Sequence, residues 1–385
     1  MKLIHTADIH LDRSFSELGL PPEQGNAFRD HLRSVFRQIL RRAGEDGVAA
    51  LAITGDLFDG ERITRDTVDF LHDSLSGARP LPVFICAGRV DAAVADSPYL
   101  TEHWPPNVHL FTTPAWRAVQ LEDVPLTVHG FGWDRRDREA ALPAGLEIPL
   151  DGRAHVAIGY GLAGKLVSGA AGSPLRLEPR PTLPSGLAYL GLGEHHTSVC
   201  VSEGESTPVW YAGAPEGGSF DERGPHYCVE VSLEEGGPGR AALVETSAGR
   251  LEAVRLDCGG FESGQALLDA ARAAMPADRR ERVVRLTLEG ALALPVFEEL
   301  DSIRETLSEE ALYLQWRERC AAGAAYDAIA REPSSLGAFV ARIGAEIGDA
   351  PDQALRRQRI RSRDLGLCAF REIPLPVRGL GGEGL

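Results

Sequence analysis

The 385-residue chain reads as an α/β protein in which helices cover a mostly β, two-sheet core. Three observations carry this reading. Strand and helix alternate from Lys2 to Ala87, many short strands separated by Gly and Pro follow from Val108 to about Ser247, and helices dominate from Pro295 onward. A two-sheet sandwich accommodates this order better than a Rossmann arrangement does.

The elements follow in turn. Lys2 to Ala7 is a short strand ending in polar residues. From Gly25 to Arg42, Phe28, Leu32, Val35, Phe36, Ile39 and Leu40 recur at helical spacing and mark an amphipathic helix. Val48 to Thr54 is a buried strand, Thr64 to Ser76 a second helix, and Pro82 to Ala87 another buried strand. The stretches VHLF, AVQLED, LTVHGFG, HVAIGYG, AYLGLG, TSVCVS, VWYAG, HYCVEVSL and AALVETS read as the short strands of the middle section. The Gly/Pro/Ser-rich segment Gly164 to Pro184 reads as a surface loop. Leu251 to Asp257 is a strand, Phe261 to Ala274 a helix and Val283 to Glu289 a strand. These changes of texture divide the chain into residues 1–248, a small α/β cap over 249–292 and a helical region over 293–385, with Gly379 to Leu385 expected as a frayed tail.

Hydrophobic residues make up 43% and charged residues 25%, the balance of an ordinary globular protein, which excludes disorder or a small disulfide scaffold. The longest apolar run lies near Val48 to Thr54, far short of the roughly 18–20 residues of a membrane span. His5, Asp8 and His10 stand where a signal peptide needs apolar residues, so no membrane and a cytoplasmic location are expected. The net charge of −16 argues against coating nucleic acid by phosphate neutralisation but does not bear on a local site. The six cysteines are dispersed without a CxxC pair and read as buried reduced thiols.

Several strands end in residues suited to hard or borderline metals. ADIH places Asp8 and His10 after the first strand, GDLFD places Asp56 after the second, and GLGEHH places Glu194, His195 and His196 after a strand far downstream. Carboxylate and imidazole donors gathered from separate strand ends suit Mn, Fe or Zn. Each motif alone is common; their conjunction, each behind a buried strand, is specific.

LIHTADIHLD, LAITGDLFDG, VFICAGRVDAA and AYLGLGEHHTS together resemble, in order and spacing, the calcineurin-like metallophosphoesterases, and in particular the SbcD and YhaO-type DNA-repair nucleases. The resemblance covers roughly residues 1–235. It implies a four-layer αββα sandwich followed by a cap and partner-binding helices, and two metals clamping a phosphodiester. It assigns Asp8, His10, Asp56 and His196 to the first metal, all present. It places Arg89, Tyr160 and Glu194 at the remaining second-metal positions, where the family has Asn and His, and Val90 where the family has a catalytic His. Gly88 and Asp91 are what remains of that motif, so Asp91 is the surviving catalytic position. The surviving ligand set implies one Mn2+ rather than two, with Fe or Zn as alternatives, and the chemistry of arginine leads us to expect Arg89 in place of the second ion, held by Glu194, Asp56 or both.

The expected function is a weakly active or inactive phosphodiesterase subunit working with a coiled-coil ATPase of the SbcC/YhaN kind, with DNA reached through that complex and a homodimer as one assembly. An active Mn-dependent DNA exonuclease or endonuclease, and a phosphoesterase for a small phosphate ester, are the alternatives. Elsewhere the structural readings are the default. Arg29, Arg33, Arg37 and Arg41 form one stripe on the first helix and read as a solvated face, as do the arginines from Arg356 to Arg363, with a DNA or partner contact as the alternative. Tyr160 reads as a hydrogen-bonding rather than a ligating residue, His195 as pointing away from its neighbour, and Trp133 has no assigned role.

Overall fold

The computed structural model describes residues 1–136, 142–161, 165–168, 175–178, 182–202, 207–234, 237–292, 294–322, 326, 329–351 and 353–370. The chain divides into two compact units, Met1–Leu251 and Glu252–Leu385.

The first unit begins with β1 (Lys2–Thr6), α1 (Pro22–Ala43), β2 (Val48–Thr54), α2 (Arg65–Gly77), β3 (Val83–Cys86), the single turn α3 (Pro98–Thr101) and β4 (Val108–Phe111). It continues through β5 (Arg117–Gln120), β6 (Leu126–Gly130), β7 (Ala154–Tyr160), β8 (Lys165–Ser168), β9 (Leu175–Glu178), β10 (Leu187–Gly193), β11 (Val199–Cys200), β12 (Val209–Tyr211), β13 (His226–Ser232) and β14 (Arg240–Ser247). One six-stranded sheet runs β14-β13-β1-β2-β3-β4, its strands β1 to β4 parallel; a second runs β11-β12-β10-β7-β6-β5, with β12, β10, β7 and β6 parallel. The α/β sandwich expected from the sequence is therefore present. A separate hairpin, β8 with β9, occupies part of the segment expected as a loop.

Alternation along the strands builds the layers. Leu3, Ala50, Ala52, Phe84 and Cys86 from the first sheet meet Leu126, Val128, Val156, Ile158 and Tyr189 from the second in one buried cluster. On the outer side of the first sheet α1 turns Phe28, Leu32, Val35, Phe36 and Ile39 inward. The outer face of the second sheet is covered, among the described residues, by Trp116, Leu142, Leu146, Ile148 and Leu183. Of the arginine stripe on α1, Arg33 bonds Thr67 and Asp66 on α2, and Arg33 and Arg37 lie 5.2 and 4.8 Å from the ring centre of Phe70. Half of the stripe thus belongs to helix packing rather than to a solvated face.

The second unit contains β15 (Leu251–Asp257), α4 (Gly264–Ala274), β16 (Val283–Leu292), α5 (Leu294–Glu298), α6 (Leu300–Ser308), β17 (Tyr313–Ala322), α7 (Ser335–Gly348) and α8 (Gln353–Phe370). The sheet order is β15-β16-β17. The strand β17 falls inside the region expected to be helical. Its sequence, YLQWRERCAA, places Leu314, Trp316 and Cys320 against the core at period two, with charged residues between them. The alternation is real but dense with Arg and Glu, and pairing with β16 decides it. Two C-terminal arginines are also inward: Arg359 bonds the Glu346 carbonyl and Arg363 lies over the Tyr326 ring. The side chains of Arg356, Arg357 and Arg361, and the segment Gly379 to Leu385, lie outside the described residues.

One polar pair links the sheets at their centre. His5 is fully buried, its Nδ1 2.8 Å from the Tyr189 hydroxyl and its Nε2 2.9 Å from Thr54 Oγ1. Burial lowers its pKa from 6.5 to about 3. The unfolded chain therefore binds the extra proton between those two values and the folded chain does not. Stability held above pH 6.5 is lost as pH falls through that window. We expect His5→Gln to be less stable than wild type at about pH 7 but to show a shallower loss between about pH 6.5 and 4, measured by urea unfolding at a series of pH values.

Candidate metal centre

The carboxyl ends of neighbouring strands from both sheets converge on one place. Asp8 and His10 follow β1, Asp56 follows β2, Gly88 to Asp91 follow β3, Tyr160 closes β7, and Glu194 to His196 follow β10. The local backbone there is unusual. Asp8, His10 and Asp56 adopt left-handed φ values of 50°, 52° and 48°, and Glu194 one of 102°. Asp and His tolerate this region better than most residues, yet each such position costs free energy that the surrounding structure must offset. Gly88 is required by close approach: a Cβ there would lie 2.3 Å from Asp56 Oδ1.

Donor atoms of Asp8, His10 and His196 lie within 4.8 Å of one another, and Asp56 Oδ2 lies 3.9 Å from His10 Nε2. The four residues assigned to one metal from the sequence are thus brought together. Two carboxylates absent from the sequence reading orient the imidazoles. Asp59 bonds His10 Nδ1 at 2.9 Å, and Glu222 bonds His196 Nδ1 at 2.9 Å. A carboxylate at Nδ1 favours the Nδ1–H tautomer and leaves the Nε2 lone pair free. The two Nε2 atoms face each other at 3.3 Å. With both rings in that tautomer the facing lone pairs repel, and a cation shared with the two aspartates would relieve it; a proton on His196 Nε2, bonding His10, is the other way to satisfy the pair. The donor set therefore fits a borderline divalent ion of the Mn, Fe or Zn type. Asp59 was legible as the second carboxylate of GDLFDG; Glu222, in FDERG, carried no local signal.

The electrostatics agree. Burial, followed by the charge of Asp56, raises the Asp8 carboxyl well above the usual carboxylate range. At His196 burial opposes protonation, but the Glu222 bond and the Asp8 charge outweigh it and raise the pKa. Glu222 is held down to about 2: burial works against its charge, and the bonds from His196 and the Gly218 amide prevail.

The remaining positions depart from the sequence reading in informative ways. Asp56 Oδ1 accepts the Val90 amide at 2.8 Å and its Oδ2 accepts the Tyr160 hydroxyl at 2.7 Å. Tyr160 is buried, and burial together with Asp56 pushes its phenol far up, so it acts as a fixed donor. Trp133, unassigned from sequence, braces it by donating Nε1–H to the Tyr160 carbonyl at 2.7 Å. Arg89 is not held by Asp56 or Glu194: its side chain is exposed, and among the described residues it makes no ion pair. Glu194 donates its backbone N–H to both Asp8 oxygens at 3.1 Å, while its side-chain Oε2 is buried without a partner. His195 turns its ring edge-on to Tyr211.

Asp91, expected as the surviving catalytic position, is fully buried instead. Its oxygens accept from the amides of Gly88, Asp56 and Leu57 and from the Tyr99 hydroxyl, at 2.6 to 3.1 Å. Burial, then Asp56, raises its pKa to about 7. It positions the loops that carry Asp56 and Arg89 and presents no free oxygen.

Residues 1–150 match the family model described as calcineurin-like phosphoesterase. That segment is similar to the calcineurin-like phosphoesterases. It contains Asp8, His10 and Asp56, whereas Tyr160, Glu194, His196 and Glu222 lie beyond it. Among solved structures, that of the protein TT1561 of Thermus thermophilus is similar at 13% identity and a TM-score of 0.36, covering 64% of this chain and 99% of that chain. No curated protein sequence matches. Among the described residues no helix is long and apolar enough to cross a membrane.

Because the outer carboxylates orient the ligating rings, we expect Asp59→Asn and Glu222→Gln each to weaken Mn2+ binding by about 10–100-fold. Isothermal titration of the metal-free chain measures this, with Asp56→Ala as the comparison.

Proposed function

We propose that the chain is a one-metal phosphodiesterase subunit of the SbcD/YhaO type, with a degraded second site and little or no turnover of its own. The observation that carries this reading is the bond from Tyr160 to Asp56, since a fixed phenol donor occupies an oxygen that a second ion would share. Asp8, His10, Asp56 and His196 would hold one ion. A bound ion of this kind supplies Lewis-acid stabilisation of charge building on a phosphoryl oxygen. The protein's own groups do the rest: Asp59 and Glu222 fix the imidazoles, and Tyr160 and the Val90 amide orient Asp56.

The position that gives the resembled family its proton donor for the leaving group is lost. Val90 carries no exchangeable side-chain proton, and Asp91 is turned into the interior. Removal of one stabilising group costs on the order of two to three decades in rate, and here two contributions are gone. The motif resemblance supports a coiled-coil ATPase of the SbcC/YhaN kind as partner, with DNA engaged through that complex and Mn2+ as the ion; a homodimer of this chain is compatible with it.

The experiment is Mn2+ uptake together with hydrolysis of linear DNA by the purified chain, run beside Asp56→Ala. We expect one Mn2+ per wild-type chain, none in the variant, and no DNA cleavage above the variant's level. Two Mn2+ per chain, or cleavage that Asp56→Ala abolishes, would replace this reading with that of an active nuclease.

A further inference from the structure

Two arginines stand beside this centre with no ion-pair partner among the described residues. Arg13 follows the candidate ligand His10 by three residues, and its amide bonds the His10 carbonyl at 3.0 Å. Its guanidinium lies against the backbone of Gly218, where a Cβ would come within 2.1 Å of Arg13 Nη1. The Gly218 amide bonds Glu222, and Glu222 bonds His196, so Arg13 is anchored to the same structure that orients a metal ligand. Its charge is felt at both His196 and Glu222.

Arg89 stands on the Asp56 side. It is clamped between Gly88, which has no room for a Cβ beside Asp56, and Val90, whose amide bonds Asp56 at 2.8 Å. Its exposed side chain acts on Glu194 by charge alone. Among the described residues neither guanidinium has a hydrogen-bond or ion-pair partner. In a chain with 56 acidic and 40 basic residues, two such arginines at one centre leave room for a counter-charge from outside the protein.

The geometry points to Arg13 and Arg89 as a clamp for the phosphate group of the substrate, taking over the anion binding that a second ion would otherwise give. The inference rests on the one-metal reading above and adds what holds the substrate there. A planar guanidinium presents paired N–H donors to phosphate oxygens, and a charged hydrogen bond of this kind contributes more than a neutral one. Arg13 would approach from the His196 side and Arg89 from the Asp56 side, with the ion between them. Both are binding groups; neither supplies the missing proton, so the clamp is consistent with tight substrate binding and slow turnover.

The test is binding of inorganic phosphate to the Mn2+-loaded chain by isothermal titration, with Mn2+ uptake measured on the same samples. Arg13→Met and Arg89→Met should each weaken phosphate binding about tenfold, leaving Mn2+ uptake unchanged, and the lysine variants should restore part of the loss. Arg13→Gln serves as the second variant if methionine disturbs folding, and is judged by the same two readouts. Variants that bind phosphate as wild type does, or a wild-type chain that takes up Mn2+ and no phosphate, overturn the clamp alone. A wild-type chain that takes up no Mn2+ overturns the one-metal reading, and the clamp with it, because phosphate would then face the uncompensated charge of Asp8 and Asp56.

Discussion

Everything at the candidate centre depends on how three carboxylates are kept side by side at the ends of neighbouring strands. Asp8, Asp56 and Asp91 are all buried, and the charge of Asp56 works against ionisation of both Asp8 and Asp91. Backbone amides hold them: Glu194 at Asp8, Val90 at Asp56, and Gly88, Asp56 and Leu57 at Asp91. Two of the contacts cross between the sheets, since Glu194 and Tyr160 belong to the second sheet and their acceptors to the first. The same contacts therefore join the sandwich at its functional edge and aim the oxygens inward. Amides cannot cancel the charge, however; a proton or a bound cation would do so.

The division of labour among the aspartates follows from what each can still accept. Asp91 commits both oxygens to four donors and is a scaffold. Asp56 accepts one bond on each oxygen, and Asp8 shares one amide between its two. Asp8 and Asp56, whose oxygens lie near His10, accept from fewer protein donors than Asp91 does. This difference separates candidate ligands from support more clearly than burial does, because all three are buried. Three of the four candidate ligands, Asp8, His10 and Asp56, also have left-handed backbone, whereas His196 does not.

Arginine behaves in two ways in this chain. Arg33 and Arg37 on α1, and Arg359 and Arg363 on α8, are engaged by ring faces, a carboxylate or a carbonyl within their own unit. Arg13 and Arg89 have no such partner among the described residues. Half of the run on α1, and two of the arginines on α8, thus serve packing, while Arg13 and Arg89 carry their charge beside the site.

The α/β class, the opening alternation of strand and helix, and the placing of Asp8, His10, Asp56 and His196 directly behind strands were legible in the sequence by itself; that these four form one set came from the motif resemblance. The legible part depends on local patterns: buried strands of period two, an amphipathic helix, and short polar motifs directly behind strands. Asp59 was within reach of the same reasoning, lying three residues past Asp56. The roles of Glu222, Tyr160 and Trp133, the burial of Asp91, the outward turn of Arg89 and the strand β17 were decided only in three dimensions. In each, the deciding partner is far along the chain or on the other sheet: Glu222 for His196, Tyr160 for Asp56, β16 for β17. A hydrogen bond between residues 104 apart leaves no periodicity to read, and a carboxylate's role depends on which donors reach it first, which only the packed sheets determine.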